Sequence, residues 1–155
     1  MGYHIMVSLS VDRTKLGTLK MYNDSGALVF GPKQALGRSE YGTSWSQLNG
    51  HTPTGVYSAT ISKDPMPQTT DNIRSYGPSK YIDMDPVSGN ALIAKQNGRS
   101  GLWIHGGAPA DAGAISYPLR PTHGCVRLSD NDQASLIYVL STLGGGTGKV
   151  TITEA

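Results

Sequence analysis

The sequence predicts a mainly β protein, a β-sandwich or set of mixed sheets with one short C-terminal helix. Three observations carry that prediction. The chain has 20 glycines and 9 prolines against a charged content of 15%, a balance that suits short strands joined by many turns better than a helical bundle. Period-two alternation of apolar residues marks residues 3–11 and 149–153, which lays an apolar row on one sheet face. One stretch alone, 134–140, follows a cap at Ser129 or Asp130 and carries apolar residues at helical spacing. A chain of 155 residues fits one domain, since domains usually run to roughly 100–200 residues.

Taken in order, Ile5, Val7, Leu9 and Val11 form the apolar row of the first strand. Residues 16–22 repeat the alternation with Leu19 and Met21, and Asn23-Asp24-Ser25-Gly26 is a turn whose glycine supplies a positive φ. Residues 27–30 return as a third strand. Residues 38–54 are rich in Ser, Gly and Asn and read as a surface loop, with His51 expected to be solvated. Residues 56–62, entered at Gly55, are β-branched and aromatic enough for a core strand. Residues 63–86 hold four prolines and little periodicity, so they read as a long irregular binding loop or lid. Residues 90–95 read as a short strand, and 101–104 as another with His105 at its end. Residues 108–121, with three prolines, cross over the region of His105. Ser129 or Asp130 then caps a helix whose buried face is Leu136, Ile137, Leu140 and Leu143. Gly144-Gly145-Gly146 ends it, before the last strand.

Composition excludes several classes of partner. The net charge of +2 comes from 13 Lys and Arg that form no run, so nucleic acid is not expected. No apolar stretch approaches the roughly 20 residues that span a bilayer, and membrane insertion is not expected. Met1-Gly2-Tyr3-His4 lacks the basic-then-apolar build of a signal peptide. A monomer is expected.

The chemistry concentrates between Ile104 and Leu128, which holds His105, His123 and the single cysteine, Cys125. A lone cysteine is usually a small buried apolar residue. Here it follows His123-Gly124, where a residue without Cβ lets the backbone bend sharply and bring a second group to the sulfur. That points to an exposed thiol. A nucleophilic thiol needs a neighbour that takes its proton, for which imidazole is the best suited near neutral pH. Nearby glycine amides can face a developing oxyanion. Metal is the competing use of the same residues, but a structural zinc site wants four ligands and only one cysteine exists. No metal and no cofactor are expected. Neither a Gly-rich phosphate loop nor a Gly-x-Ser-x-Gly elbow occurs.

His105, the sixteen residues from Gly106 to Pro121, and Thr122-His123-Gly124-Cys125-Val126-Arg127 resemble the signature of the L,D-transpeptidase catalytic domain, the YkuD family. Upstream, Thr52-Pro53-Thr54-Gly55-Val56-Tyr57 is similar to that family's Thr-Pro-Thr-Gly-aromatic segment, with Val56 inserted before the aromatic. The resemblance implies an L,D-transpeptidase-like fold and attack by Cys125 on a carbonyl of a peptidoglycan stem peptide. His105 would be the base, oriented by the Gly106 carbonyl. His123, Gly124 and the Cys125 amide would line the oxyanion hole. Arg127 would contact the substrate carboxylate or hold the turn, with Thr122 beside it, and Tyr76 and Tyr81 would be substrate contacts or loop anchors. An amine acceptor gives cross-linking or D-amino-acid exchange, and water gives L,D-carboxypeptidase activity. Carbapenems would acylate the same thiol. The implied location is the cell envelope, reached after loss of a leader or by a dedicated secretion route. An antibacterial effector using this site and a non-catalytic wall-binding module are the alternatives; a binder need not retain Cys125 and both histidines.

Overall fold

In the computed structural model, residues 2–155 are described; Met1, which opens the segment read above for a leader, lies outside them. The strands are β1 (Tyr3–Leu9), β2 (Gly17–Asn23), β3 (Leu28–Ala35), β4 (Gly55–Ile61), β5 (Ile82–Ser88), β6 (Trp103–His105), β7 (Val126–Arg127) and β8 (Thr147–Glu154). The helices are α1 (Thr70–Tyr76), α2 (Asn90–Gln96) and α3 (Asp130–Thr142). The fold is mostly β, as the composition predicts. All eight strands join one mixed sheet in the order β3-β2-β1-β8-β4-β5-β6-β7, with β1/β8 and β6/β7 parallel and the other pairs antiparallel.

The sheet nearly closes on itself. Just past β3, Leu36 and Arg127 exchange both backbone hydrogen bonds, at 3.0 and 2.9 Å, so the first and last strands of the order meet. This bridge joins the two edges of the sheet at one point, just past the end of β3. Alternation fills the inner face: Ile5, Val7 and Leu9 of β1, Leu19 and Met21 of β2, Tyr57 and Ala59 of β4, Ile82 and Met84 of β5, and Val150 and Ile152 of β8 are all buried. Leu136 and Leu140 of α3 complete the same core, with Ile137 and Leu143 packed at its margin. Fully burying each Val, Leu, Ile or Met among them contributes about 1.5–3 kcal/mol. Ser129 caps α3, its side chain accepting the Asp132 N–H at 3.1 Å.

Two segments depart from the sequence reading. Residues 90–95 are not a strand but most of α2. A short apolar run does not by itself separate strand from helix, and the two alanines Ala91 and Ala94, three apart and both fully buried, set a helical face small enough to lie on β4 and β5. Residues 63–86 are not one irregular loop either. They contain α1, where Thr69 caps by accepting the Asn72 N–H at 3.2 Å and Gly77 ends the helix at φ 77°. They also contain β5, whose buried Ile82, Met84 and Pro86 alternate with more exposed Asp83, Asp85 and Val87. A proline inside that strand hides the pattern, and it pairs beside a bulge between Val56 and Tyr57, where a missing N–H is tolerated.

Candidate active site

The parallel pair β6/β7 sets the site. Ile104 pairs with Val126 and His105 with Arg127. Because side chains alternate along a strand, Ile104 and Val126 enter the core while Trp103, His105, Cys125 and Arg127 share the opposite face. A cleft of about 350 Å³ opens there, lined by Cys125, His105, Tyr76, His123, Arg120 and Glu40 among others. The sequence reading placed His105 at the end of a strand, and it is the last residue of β6.

His105 is 2% exposed. Its Nδ1 lies 2.6 Å from the Gly106 carbonyl oxygen, which holds the proton on Nδ1 and leaves Nε2 as the acceptor nitrogen. Tyr76 meets the ring edge-on at 4.9 Å between centroids. Burial pushes the His105 pKa down to about 3, helped by the Arg127 guanidinium and opposed by the Gly106 carbonyl. The imidazole is therefore neutral at any ordinary pH.

Cys125 is 8% exposed, which corrects the expectation of an exposed thiol. The sulfur sits in a backbone cradle, accepting the Trp103 N–H at 3.3 Å and donating to the Gly101 carbonyl at 3.4 Å. Burial raises its pKa to about 11 against the pull of the Trp103 N–H and the charges of Arg127 and Arg99, with Asp83 adding to the rise. Thiol and imidazole both rest neutral.

The turn that carries the thiol is fixed by hydroxyls and an arginine. Thr122 Oγ1 donates to the Cys125 carbonyl at 2.9 Å and accepts the Gly124 N–H at 3.0 Å. Thr52 Oγ1 donates to the Gly124 carbonyl at 2.7 Å. Gly124 adopts φ 115°, and a Cβ there would stand 2.1 Å from Arg99 Nη2, so glycine is required on both counts. Arg99 is itself held by the carbonyls of Trp45, His51 and Gly50 at 2.6, 2.8 and 2.9 Å. These contacts turn the loop of residues 38–54 into one wall of the cleft. His51 is not solvated as expected: it is half-buried, and its Nδ1 accepts the Ser39 N–H at 2.9 Å.

The two histidines differ sharply. His123 is exposed, with Nε2 2.8 Å from Glu40 Oε1 and its ring stacked on Tyr41 at 5.5 Å. Its imidazole is thus engaged at the rim. Thr122 is a buried brace of the turn, and the Gly124 N–H is already bonded to it. Arg127 is 4% exposed, and its Nη1 donates to the Gly106 carbonyl at 3.1 Å, the oxygen that also orients His105. Of the two roles open to it, this geometry holds the turn. Tyr76 lines the cleft, whereas Tyr81 stacks on Trp103 at 3.9 Å and is a packing anchor. Sequence reasoning passed over Trp103, Gly101, Glu40, Arg99 and Arg120. Trp103 could have been found from its place two residues before His105 on the same strand face. Glu40 and Arg120 leave no such local signal.

A thiol and a buried neutral imidazole facing one cleft of a mostly β sheet define a cysteine–histidine site. The L,D-transpeptidase catalytic domain family, YkuD, matches residues 2–152, and the chain belongs to that family. No curated protein matches it. Among solved structures it is similar to L,D-transpeptidase 1 of Mycobacterium tuberculosis, at 12% identity and a TM-score of 0.45, over 98% of this chain and 62% of that one; the chain thus spans less than two thirds of that relative. Among the described residues no helix is long and apolar enough to cross a membrane.

Proposed function

We propose that the protein is a peptidoglycan L,D-transpeptidase, a single catalytic domain acting in the cell envelope through Cys125 and His105. The observation that carries this reading is the sharing of one cleft by the Cys125 sulfur and the His105 ring, His105 ending β6 and Cys125 directly preceding its partner β7. Since both groups rest neutral, attack couples to proton transfer. His105 Nε2 takes the Sγ proton as sulfur bonds to the stem-peptide carbonyl carbon, and the amides of His123 and Cys125 are the donors left for the oxyanion. Collapse breaks the C–N bond, the proton passes from His105 to the leaving D-amino acid, and a thioester remains on Cys125. An amine then takes the acyl group, or water hydrolyses it. Arg127 and Tyr76 keep the imidazole in its tautomer and plane, which preserves the Nε2 lone pair.

The test is mass spectrometry of purified muropeptides incubated with the protein, with and without an added D-amino acid. Exchange or cross-linked products identify a transpeptidase, and trimmed stems alone a carboxypeptidase. Cys125→Ala is expected to abolish every product and the carbapenem adduct seen by intact mass. His105→Ala is expected to cost about 10²–10⁴-fold in turnover, the usual range for a general base. His123→Ala, at the rim, is expected to cost less. Undiminished turnover by Cys125→Ala overturns the mechanism.

A further inference from the structure

Two guanidinium groups stand together in the cleft that holds Cys125. Arg120 and Arg127 both line it, and the Arg120 charge helps push the Arg127 pKa down to about 10, behind the larger effect of burial. Neighbouring like charges repel, so such a pair is normally neutralised by a carboxylate. Among the described residues neither arginine makes an ion pair. Three carboxylates have charges that reach Arg120, and none bonds to it: Glu40 is paired with His123, Asp130 accepts the Gly107 N–H at 2.7 Å, and the exposed Asp111 makes no ion pair among the described residues. Arg127 Nε is buried and has no hydrogen-bond partner.

The two cations are not equivalent. Arg127 is sealed behind the Gly106-Gly107 turn, where a Cβ at Gly107 would stand 1.5 Å from its Nη1. Arg120 is half-buried. Its Nε donates to the Ala108 carbonyl at 3.0 Å and its Nη2 to the Arg74 carbonyl at 2.5 Å. Those two bonds fix the guanidinium plane, and Nη1 has no bonded partner among the described residues. A preorganised guanidinium at the mouth, with a second positive charge behind it, is an arrangement that an anion completes.

We propose that Arg120 is the specificity-determining residue that anchors the free α-carboxylate of the acyl donor, with the buried charge of Arg127 reinforcing it. The assignment rests on the acyl-transfer reading for its substrate, a peptide ending in a D-amino acid, and it moves the carboxylate contact expected of Arg127 to Arg120. Holding that carboxylate fixes the leaving group, and with it the scissile carbonyl relative to the sulfur.

The experiment separates binding from turnover by working in the Cys125→Ala protein. Its affinity for a tetrapeptide stem with a free C-terminal carboxylate is compared with that for the same peptide as its C-terminal carboxamide, by calorimetry. A hydrogen bond to a charged group corresponds to about tenfold to hundredfold in affinity. A preference of that size for the acid is expected, lost in Cys125→Ala/Arg120→Gln and partly kept in Cys125→Ala/Arg120→Lys, which retains the charge if removal of the guanidinium loosens α1. Equal binding of acid and carboxamide by the Cys125→Ala protein overturns the proposal, as does an acid preference that survives Arg120→Gln. Turnover by the wild-type protein is measured separately: an acid preference that depends on Arg120, in a protein that turns over neither peptide, leaves the carboxylate site standing and removes the transpeptidase reading.

Discussion

Alkylation of Cys125 should be slow at neutral pH and should rise far into the alkaline range. With a thiol pKa of about 11, the thiolate fraction at pH 7 is about 10⁻⁴, against about 3% for an unperturbed cysteine near pKa 8.5. That is a deficit of roughly 300-fold. A more basic thiolate is also more nucleophilic, and a Brønsted slope of about 0.4–0.5 over about 2.5 pKa units returns roughly tenfold. Iodoacetamide should therefore modify Cys125 roughly 20–30-fold more slowly than a short cysteine peptide at pH 7, and more slowly still because the sulfur is 8% exposed. The assay is pseudo-first-order carbamidomethylation followed by intact mass from pH 6 to 11, with circular dichroism verifying that the fold persists. The expected rate climbs throughout and inflects only above pH 9. A rate that plateaus by pH 7, at or above that of the peptide, would mean a preformed thiolate–imidazolium pair and would refute the neutral resting state on which the coupled attack depends.

Two further outcomes follow from the same environment. Burial holds the folded His105 pKa near 3, while the unfolded chain protonates near 6.5, so the stability of a neutral His105 is complete above about pH 6.5 and is lost as pH falls toward 3, at about 1.4 kcal/mol per unit. His105→Gln should flatten the fall of Tm between pH 6.5 and 3.5, and parallel curves for the two proteins would remove His105 as its cause. Gly124→Ala forces a side chain onto φ 115° and against Arg99 Nη2, so strain of about 1–3 kcal/mol should lower Tm by several degrees and reduce turnover; a wild-type melting curve would show that the turn adapts.

Strands β1, β2, β4 and β8, the place of His105 at the end of β6 and the N-cap of α3 were legible because their signals are local. Alternation reports the face of β1 or β8 from the residues of that strand alone, and Ser129 precedes its own helix. The errors share the opposite cause. His51 looks solvated because its neighbours are polar, yet it is half-buried and accepts the Ser39 N–H from 12 positions away, and the Glu40 partner of His123, 83 positions off, likewise leaves no trace near the motif. Cys125 looks exposed because glycine and histidine precede it, yet the start of β6 at Trp103, and Gly101 just before it, supply the backbone groups that enclose the sulfur. Residues 90–95 show how a four-residue apolar run misleads: the decisive feature is the smallness of Ala91 and Ala94, whose meaning depends on what they pack against. Arg120 is fixed by carbonyls of residues 74 and 108, so its placement exists only once three segments have met.

Closure of the sheet explains why those segments meet here. The exchange of hydrogen bonds between Leu36 and Arg127 brings the chain off β3 beside β7, directly after Cys125, and Glu40 and Asn49 of the following loop line the cleft. Two buried arginines then fasten that wall from outside the loop's own sequence. Arg13, paired with Glu154 at 2.6 Å, donates to the carbonyls of Gly37 and Thr52 at 3.0 and 2.8 Å, and Arg99 takes three carbonyls between Trp45 and His51. A buried carbonyl left unpaired costs about 1–3 kcal/mol, so each arginine resists displacement of several residues together. The facing wall is held differently. Helix α1 buries no residue and is tied at the Arg74 carbonyl, which accepts from the Ala108 amide at 2.8 Å and from Arg120. Low burial with few ties marks the less stable part of a fold. The cleft thus has one rigid side, which fixes the thiol turn, and one lightly held side, which carries Tyr76 against His105.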